Sequence, residues 1–485
     1  MRPDEKEYAK LKWFLERLGK SEDFCRPYFE RAKRYYRLYR FGSAVDEKDW
    51  PYVNRVRTRD ILAFVEDSTA IMVQTLFGTT PFYSVIPRYQ SQFSMQQGGM
   101  DAMAIAQQVE NFLDQQISNE ETEFFEEITD FFKEGCIYGN SYMGVYPKFD
   151  QQGVYTGPLC KTIGFWDVLP ITGARRITKA RGVFVREFMS KEEAMEFAKK
   201  TGTPESFKSL GSWNEGIERK WHTDLLAELG IADFQVDSDD IEILHYFSGG
   251  HIVTIADRAV IIRDSSEPIK NQLGQDQVIK PFPFDQPVVQ YKFIALPQEW
   301  FSMGIPEVLE ALQEDKNLIR SARRDNIDLV INKVLKARIG ADINYDLIKY
   351  YAGAIWPLEN LNDIEAMDQA DVTQSAYMEE EKLGGDMENA LSMFGYARGM
   401  TPTHEERPTT VIRLQQASLN RLDLAIKMAE YTVLQNIAQR IILLARRYMP
   451  QKTYEMIIGD REAGLTECPK MTLESSTSLS LWVRP

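Results

Sequence analysis

The stretch from Gly304 to Met449 constrains the fold more than any other, because it reads as helix, short insert, helix, polar loop and one very long helix. Gly304-Ile305-Pro306-Glu307 opens the first helix. Proline stands in the first turn, where its missing N–H does no harm, and the acid lies near the positive end of the helix dipole. Val308, Leu309, Leu312, Leu318, Ile319, Ala322, Ile327 and Val330 then recur mostly three or four apart, with Glu310, Glu314, Asp315, Arg320, Arg323 and Arg324 between them. This spacing predicts an amphipathic helix over 304–333. From Lys336 to Leu361 the text changes to short strands and turns, giving an insert over 334–370. Helical character returns over 371–394, with an expected break at Gly384-Gly385. Residues 395–409 hold Gly399, Pro402, His404, Glu405, Glu406, Arg407 and Pro408, too polar and too broken for regular structure. Thr409 or Thr410 then caps a helix over 410–450 that is expected to run uninterrupted to Met449, about 55–60 Å at roughly 1.5 Å per residue.

The N-terminal half, residues 1–303, reads as α+β. Residues 1–50 predict a charged helix in which Phe24, Tyr28, Phe29, Tyr35, Tyr36, Tyr39 and Phe41 interleave with Arg26, Arg31, Arg34, Arg37 and Arg40. Rings mixed with arginine can stack on bases, but they more commonly pack on a neighbouring element while the arginines meet solvent or acids. A helix from Asp60 runs toward Pro81-Phe82-Tyr83, and a second helix-to-strand junction is written Tyr138-Gly139-Asn140. Between them a Gln- and Met-rich loop near 90–97 precedes helices over 103–117 and from Glu121. Alternation around Gly249-Gly250 predicts a hairpin from Ile241 to Ile255. The stretch 451–485, with Ile457-Ile458-Gly459 and Leu479–Val483, reads as strands closing back on this half or as the start of a minimal C-terminal crown.

Chemistry-bearing motifs are sparse. Gly19-Lys20-Ser21 imitates the end of a phosphate-binding loop, but Phe14 stands where that motif needs glycine. His222, His245, His251 and His404 are scattered, and the two in the hairpin are expected to face solvent. Cys25, Cys136, Cys160 and Cys468 lack metal-ligand or disulfide spacing and read as reduced cytosolic thiols. Catalytic, metal and cofactor sites are therefore expected to be absent. No apolar run long enough to span a membrane occurs. A net charge of −15 argues against a broad basic surface that grips nucleic acid. It leaves open a conduit with weakly repulsive walls, or simple solubility.

The order of elements from Gly304 to Ala445 resembles the tailed-bacteriophage portal proteins, the head–tail connectors. The carriers are the G-x-P start at Gly304–Pro306, Arg323-Arg324-Asp325-Asn326 leading into Leu329–Lys336, the Gly353 to Trp356-Pro357 insert, and Thr409-Thr410 followed by Gln415-Gln416-Ala417. The junctions at Pro81-Phe82-Tyr83 and Tyr138-Gly139-Asn140 are similar too.

The resemblance implies an α+β portal-like fold: an α/β wing over 1–303, stem helices over 304–333 and 371–394, a small α/β clip over 334–370, a tunnel loop over 395–409 and a long supporting helix over 410–450. It implies a ring of about twelve copies at one capsid vertex, assembled in the host cytoplasm and not in a membrane. Double-stranded DNA would pass through it, driven by a separate motor, the terminase large subunit. Head-completion, adaptor or tail proteins would dock afterwards, and the major capsid protein and a scaffold would surround it. His404, Glu405, Glu406 and Arg407 would then meet DNA in the channel. Arg320, Arg323, Arg324, Glu379, Glu380 and Glu381 would face either the bore or neighbouring subunits. Lys336, Arg338, Tyr345, Tyr350, Tyr351 and Trp356 would serve the clip interface. Another capsid or adaptor ring component, or an enzyme on nucleic acid with carboxylates gathered from distant positions, are the alternatives.

Overall fold

A computed structural model describes residues 5–45, 47–78, 83–87, 102–118, 123–150, 153–171, 173–201, 240–266, 269–270, 276–277, 280–339, 364–367, 373–392, 420–449 and 479–483. Over these the fold is α+β, as the sequence predicts.

Helix α1, Glu5–Phe41, buries Leu11, Phe14, Leu18, Cys25, Phe29, Ala32, Tyr35 and Leu38, mostly three or four residues apart. Its rings do pack on neighbouring elements. Tyr28 stacks on Phe301 at 4.0 Å, and Phe29 meets Phe165 and Trp166 at 5.6 Å each. Its arginines reach acids: Arg31 lies 3.6 Å from Glu307 and Arg34 pairs with Glu310. All of these partners belong to the same chain. Gly19-Lys20-Ser21 sits inside this helix, where the Ser21 hydroxyl donates to the Arg17 carbonyl.

Helix α2, Asp60–Phe77, leads to strand β1, Tyr83–Pro87. Helices α3, Ala102–Ile117, and α4, Phe124–Tyr138, follow. Strands β2, Asn140–Phe149, and β3, Tyr155–Ile163, form an antiparallel pair. Next come β4, Val168–Pro170, β5, Val183–Met189, helix α5, Lys191–Thr201, and β6, Ile241–Ser248, β7, His251–Ala256, and β8, Val260–Asp264. These strands make a five-stranded antiparallel sheet in the order β4-β5-β6-β7-β8. The predicted β6–β7 hairpin turns through Gly249 and Gly250, both at positive φ as such a turn requires. Two short strands, β9, Ile269–Lys270, and β10, Asp276–Gln277, pair with each other. Strand β11, Val288–Lys292, completes a second sheet in the order β11-β2-β3.

Helix α6, Ile305–Ile331, is followed by β12, Leu335–Ala337, and β13, Ile364–Ala366, which pair antiparallel, and then by α7, Thr373–Leu391. The expected break at Gly384-Gly385 does not occur: α7 runs straight through. Glycine lowers helix propensity by about 1 kcal/mol, but Leu383, Met387 and Leu391 on either side are buried, and that packing outweighs it. The described part of the long helix comprises α8, Asn420–Ala429, a π-helical turn, Glu430–Leu434, and α9, Gln435–Tyr448. It is therefore continuous but not uniformly α-helical. The hydroxyls of the buried Tyr83 and Tyr291 donate to the carbonyls of Leu434 and Ala425, at 3.2 and 3.3 Å, and side chains bonded into the backbone ladder are a recognised cause of such turns. Residues 410–419, with the expected threonine cap, lie outside the described residues, as do the loop near 90–97 and Ile457–Gly459. Strand β14, Leu479–Val483, pairs antiparallel with β1, so this part of the C-terminal stretch does close back on the N-terminal half.

The α4–β2 junction and the start of α6 cross in close contact. Gly139 ends α4 in a left-handed conformation, φ +83°, and its N–H donates to the Gly135 carbonyl at 2.9 Å. A Cβ on Gly139 would lie 2.1 Å from the Ser302 carbonyl oxygen, and one on Gly304 would lie 2.3 Å from that of Ile137. Around the crossing, Ser302 N–H donates to the Asn140 side-chain oxygen at 3.0 Å, Asn140 donates to the Trp300 carbonyl at 3.1 Å, and Phe293 N–H donates to the Gly139 carbonyl at 2.9 Å. Gly139→Ala is expected to cost about 3 kcal/mol or more, because overpacking adds to the left-handed penalty. Gly249→Ala, at φ +58° with nothing within 4 Å, should cost only about 1–2 kcal/mol. Urea unfolding of both variants measures the difference, and equal losses would show that the crossing is not a tight constraint.

Candidate functional site

Helices α6 and α7 form an antiparallel hairpin closed at its far end by the β12–β13 ribbon. Arg320 and Arg323 on α6 both bind Glu380 on α7, Arg323 at 2.5 Å, and the Arg323 guanidinium lies 4.0 Å over the Tyr377 ring. As the number on one helix rises its partner's falls, which fixes the antiparallel sense. Glu380 is buried and both its oxygens are occupied by guanidinium groups, a strong charge-assisted arrangement. Arg324 points to its own helix, 3.6 Å from Asp328, while Glu379 and Glu381 are exposed. Of the six sequence-selected stem residues, the structure thus gathers Arg320, Arg323 and Glu380 into one intrachain cluster. The other three stay at the surface.

At the ribbon end, Lys336 and Arg338 are exposed, and so are the apolar side chains of Ile331 (64%), Val334 (47%), Ile339 (100%) and Met367 (43%). Tyr345, Tyr350, Tyr351 and Trp356 lie outside the described residues, as do His404, Glu405, Glu406 and Arg407.

Helix α6 also carries a polar seam that local pattern reading passed over. Gln313, Asn317 and Ser321, one turn apart, are fully buried against the strap of residues 43–58. Asn317 accepts from Thr58 N–H at 2.8 Å and donates to the Gly42 carbonyl at 2.7 Å. Glu314 accepts from Ser43 and from Ala44 N–H, while Asp325 accepts from Val53 N–H, Asn54 N–H and the Asn54 amide. The recurrence of polar residues at 313, 317, 321 and 325 is a visible four-residue period. It is the one sequence signal that could have revealed the seam.

A second cluster ties α1 to the five-stranded sheet. Glu22 and Glu242 alternate with Arg186 and Arg258 at 2.7–2.8 Å, so that each carboxylate meets both guanidinium groups. Its members are drawn from distant parts of the chain, and no local motif announces it. Of the hairpin histidines, His245 departs from the sequence expectation. His245 is buried, with Nδ1 3.1 Å from the Thr254 hydroxyl and Nε2 3.7 Å from Glu187, while His251 donates to the Ser265 carbonyl. The strand register pairs His245 with Thr254 and His251 with Ser248, so the two rings do not meet. Cys25, Cys136 and Cys160 are buried free thiols, and burial drives each thiol upward. Cys468 and His222 lie outside the described residues.

One acidic group stands apart. Burial, and after it the carboxylates of Asp167, Asp130 and Glu127, push Glu134 up to about 8. Among the described residues no three or more His, Cys, Asp or Glu side chains are placed to hold a metal ion. No described helix is long and apolar enough to cross a membrane. No protein-family model matches the chain, and no curated protein matches it.

Two outcomes follow from this geometry. Glu380→Gln is expected to cost about 2–3 kcal/mol, since two charge-assisted bonds weaken at a buried site. Urea unfolding measures the loss, and a value near zero would make the cluster incidental. Glu134 is favoured in its protonated form, so its stabilisation is complete below its ordinary value of 4.5 and is lost as pH rises through about 8. Glu134→Gln should therefore match the parent near pH 4 and exceed it at pH 9. A stability difference independent of pH would contradict that sign.

Proposed function

We propose that this chain is a portal protein, a ring-shaped conduit at one capsid vertex through which double-stranded DNA is packaged by a separate terminase motor and later leaves. The observation that carries the reading is the α6–ribbon–α7 hairpin. Its two helices are joined within one chain by Arg320, Arg323 and Glu380, and α6 is fastened to the α+β body by the strap of residues 43–58. A hairpin stiffened in this way does not depend on neighbours for its own geometry. Copies can stand side by side around an axis and contact each other through their outer faces. Exposed Ile331, Val334, Ile339 and Met367 at the ribbon end supply apolar surface for such contacts.

In this reading, α6 and α7 are stem helices and the β12–β13 ribbon belongs to the clip. Repetition around the axis turns a single exposed residue into a ring of like charges, so Glu379, Glu381 and Arg324 set the electrostatics of the stem wherever they face. The sequence 395–409, with His404, Glu405, Glu406 and Arg407, is assigned to the tunnel loop by the resemblance alone. Docking of the terminase and of adaptor or tail proteins is assigned to the clip on the same ground. The work on DNA is assigned to the motor and none of it to this chain.

Negative-stain electron microscopy and sedimentation of the purified chain should reveal closed rings of about twelve copies. A monomer persisting at high concentration, with no rings, would remove the reading. The triple variant Ile331→Asp, Val334→Asp, Ile339→Asp should abolish or weaken the rings. Its thermal midpoint as a monomer should change little, because exposed substitutions typically stay within about 0.5 kcal/mol. Intact rings in this variant would exclude the ribbon end from the subunit contacts.

A further inference from the structure

Against a net charge of −15, the segment Gly173-Ala-Arg175-Arg176-Ile-Thr178-Lys179-Ala-Arg181-Gly182 carries four cations and no acid. It connects β4 to β5 and includes a short 3-10 turn at Ile177–Lys179. Arg175, Arg176, Lys179 and Arg181 are all exposed. No described carboxylate lies within ion-pair distance of any of them, and the Arg175 guanidinium donates to the neutral Gln298 side chain, at 3.3 Å.

The loop is held from below. Ile177 is buried, its N–H donates to the Gln290 side-chain oxygen at 3.1 Å, and the Gln286 amide donates to its carbonyl. Within the turn, Lys179 N–H donates to the Arg176 carbonyl at 3.0 Å. Both glutamines are buried, so the backbone bearing the cations is fixed before any ligand arrives. Beside it, the Lys292 ammonium donates to the carbonyls of Arg175 and Glu299, at 2.9 and 2.7 Å. Burial, and then the like charge of Arg176, bring this lysine down to about 8, while Glu299 acts the other way.

We propose that the 173–182 loop, with Lys292 behind it, is a phosphate-backbone contact site for double-stranded DNA. Three of its four exposed cations are arginines, whose planar forks match phosphate oxygens in pairs, and the exposed Thr178 hydroxyl adds a donor of the kind that commonly meets phosphate. The loop carries no aromatic side chain, so it has no platform for unstacked bases, which favours a duplex over a single strand. Contacts of this kind are independent of base sequence. They also act at short range, because charges farther off than about 8 Å are screened at physiological salt. A strongly acidic chain can therefore hold one local attractive site. The site does not depend on ring formation, since every group in it comes from one chain.

The test is fluorescence anisotropy with a labelled DNA duplex of about 20 base pairs and the full chain in whatever oligomeric state it adopts. Salt is varied from about 50 to 200 mM. The variant Arg175→Gln, Arg176→Gln, Lys179→Gln, Arg181→Gln should bind at least about tenfold more weakly at low salt. Its slope of log affinity against log salt should be shallower by up to about 3–4, for the four lost phosphate contacts. A charge-matched control, Lys12→Gln, Lys20→Gln, Arg26→Gln, Lys48→Gln, should keep the parent slope. Equal losses in both variants would reduce the effect to net charge and overturn the proposal. Undetectable binding by the parent at 50 mM salt would overturn it too. So would equal competition by polyglutamate at matched charge, which would reassign the loop to an acidic protein partner. Far-UV circular dichroism and melting of both variants confirm that folding is retained.

Discussion

The close passage of Gly139 past Gly304 is the constraint on which the rest of the structure rests. At this point the helix-to-strand turn that starts β2 of the three-stranded sheet lies against the loop that leads into α6, with no room for a side chain on either glycine. Ser302, Asn140, Trp300 and Tyr142 surround the crossing with hydrogen bonds, including Trp300 Nε1 to the Tyr142 hydroxyl at 2.9 Å, so the side-chain polar groups of these four residues are matched. Direction follows from position: once these turns are locked, α6 can leave the body along only one line. The strap of residues 43–58 then accompanies α6 for about three turns, and the seam from Gln313 to Asp325 keeps it there.

Helix α1 links this root to the five-stranded sheet. At its far end Lys10 meets Asp264; near its middle Glu22 joins Arg186, Glu242 and Arg258; toward its end Arg31 and Arg34 meet Glu307 and Glu310 on α6. Arg186 and Glu242 are buried and Glu22 and Arg258 half-buried, which is costly unless each charge is matched, and here every carboxylate has two guanidinium partners. The cluster also holds the β7–β8 turn, where Asp257 and Arg258 stand at φ +47° and +54°, a conformation unfavourable by roughly 1–2 kcal/mol for such residues. Arg258 is kept there by its bonds to Glu242 and Glu22. Glu22 alone carries the link from α1, so its loss would free the helix from both arginines while Arg258 stays bonded to Glu242, which makes the cluster a connection between layers as much as a source of stability.

Features governed by local geometry were legible in the sequence. The proline start of α6, the glycine end of α4 and the Gly249-Gly250 hairpin all depend on a few adjacent residues or on plain alternation. What escaped notice depends on partners far along the chain. Gly384-Gly385 reads as a break until the buried Leu383 and Met387 are seen to hold the helix, and the π turn follows from tyrosines more than 130 residues away. His245 looks like a solvent-facing strand residue until Glu187 and Thr254 are placed beside it. For the stem candidates, sequence supplies the charges of Arg320, Arg323 and Glu380. Only the antiparallel packing reveals that they bind one another.

That pairing has an electrostatic consequence. Two arginines share one carboxylate, so the cluster retains a surplus positive charge that is partly covered by Tyr377. The exposed charges of α7 near it are Glu379, Glu381 and Lys382. Along this part of α7 the hairpin therefore holds two cations against one buried carboxylate and shows a mixed surface in which acids outnumber bases. The basic 173–182 loop has the reverse arrangement: neutral buried glutamines below and arginines above. In the proposed conduit, the two arrangements suit opposite demands. DNA that must move is best met by walls that do not hold it, whereas a fixed contact needs pre-positioned cations whose range ends within a Debye length.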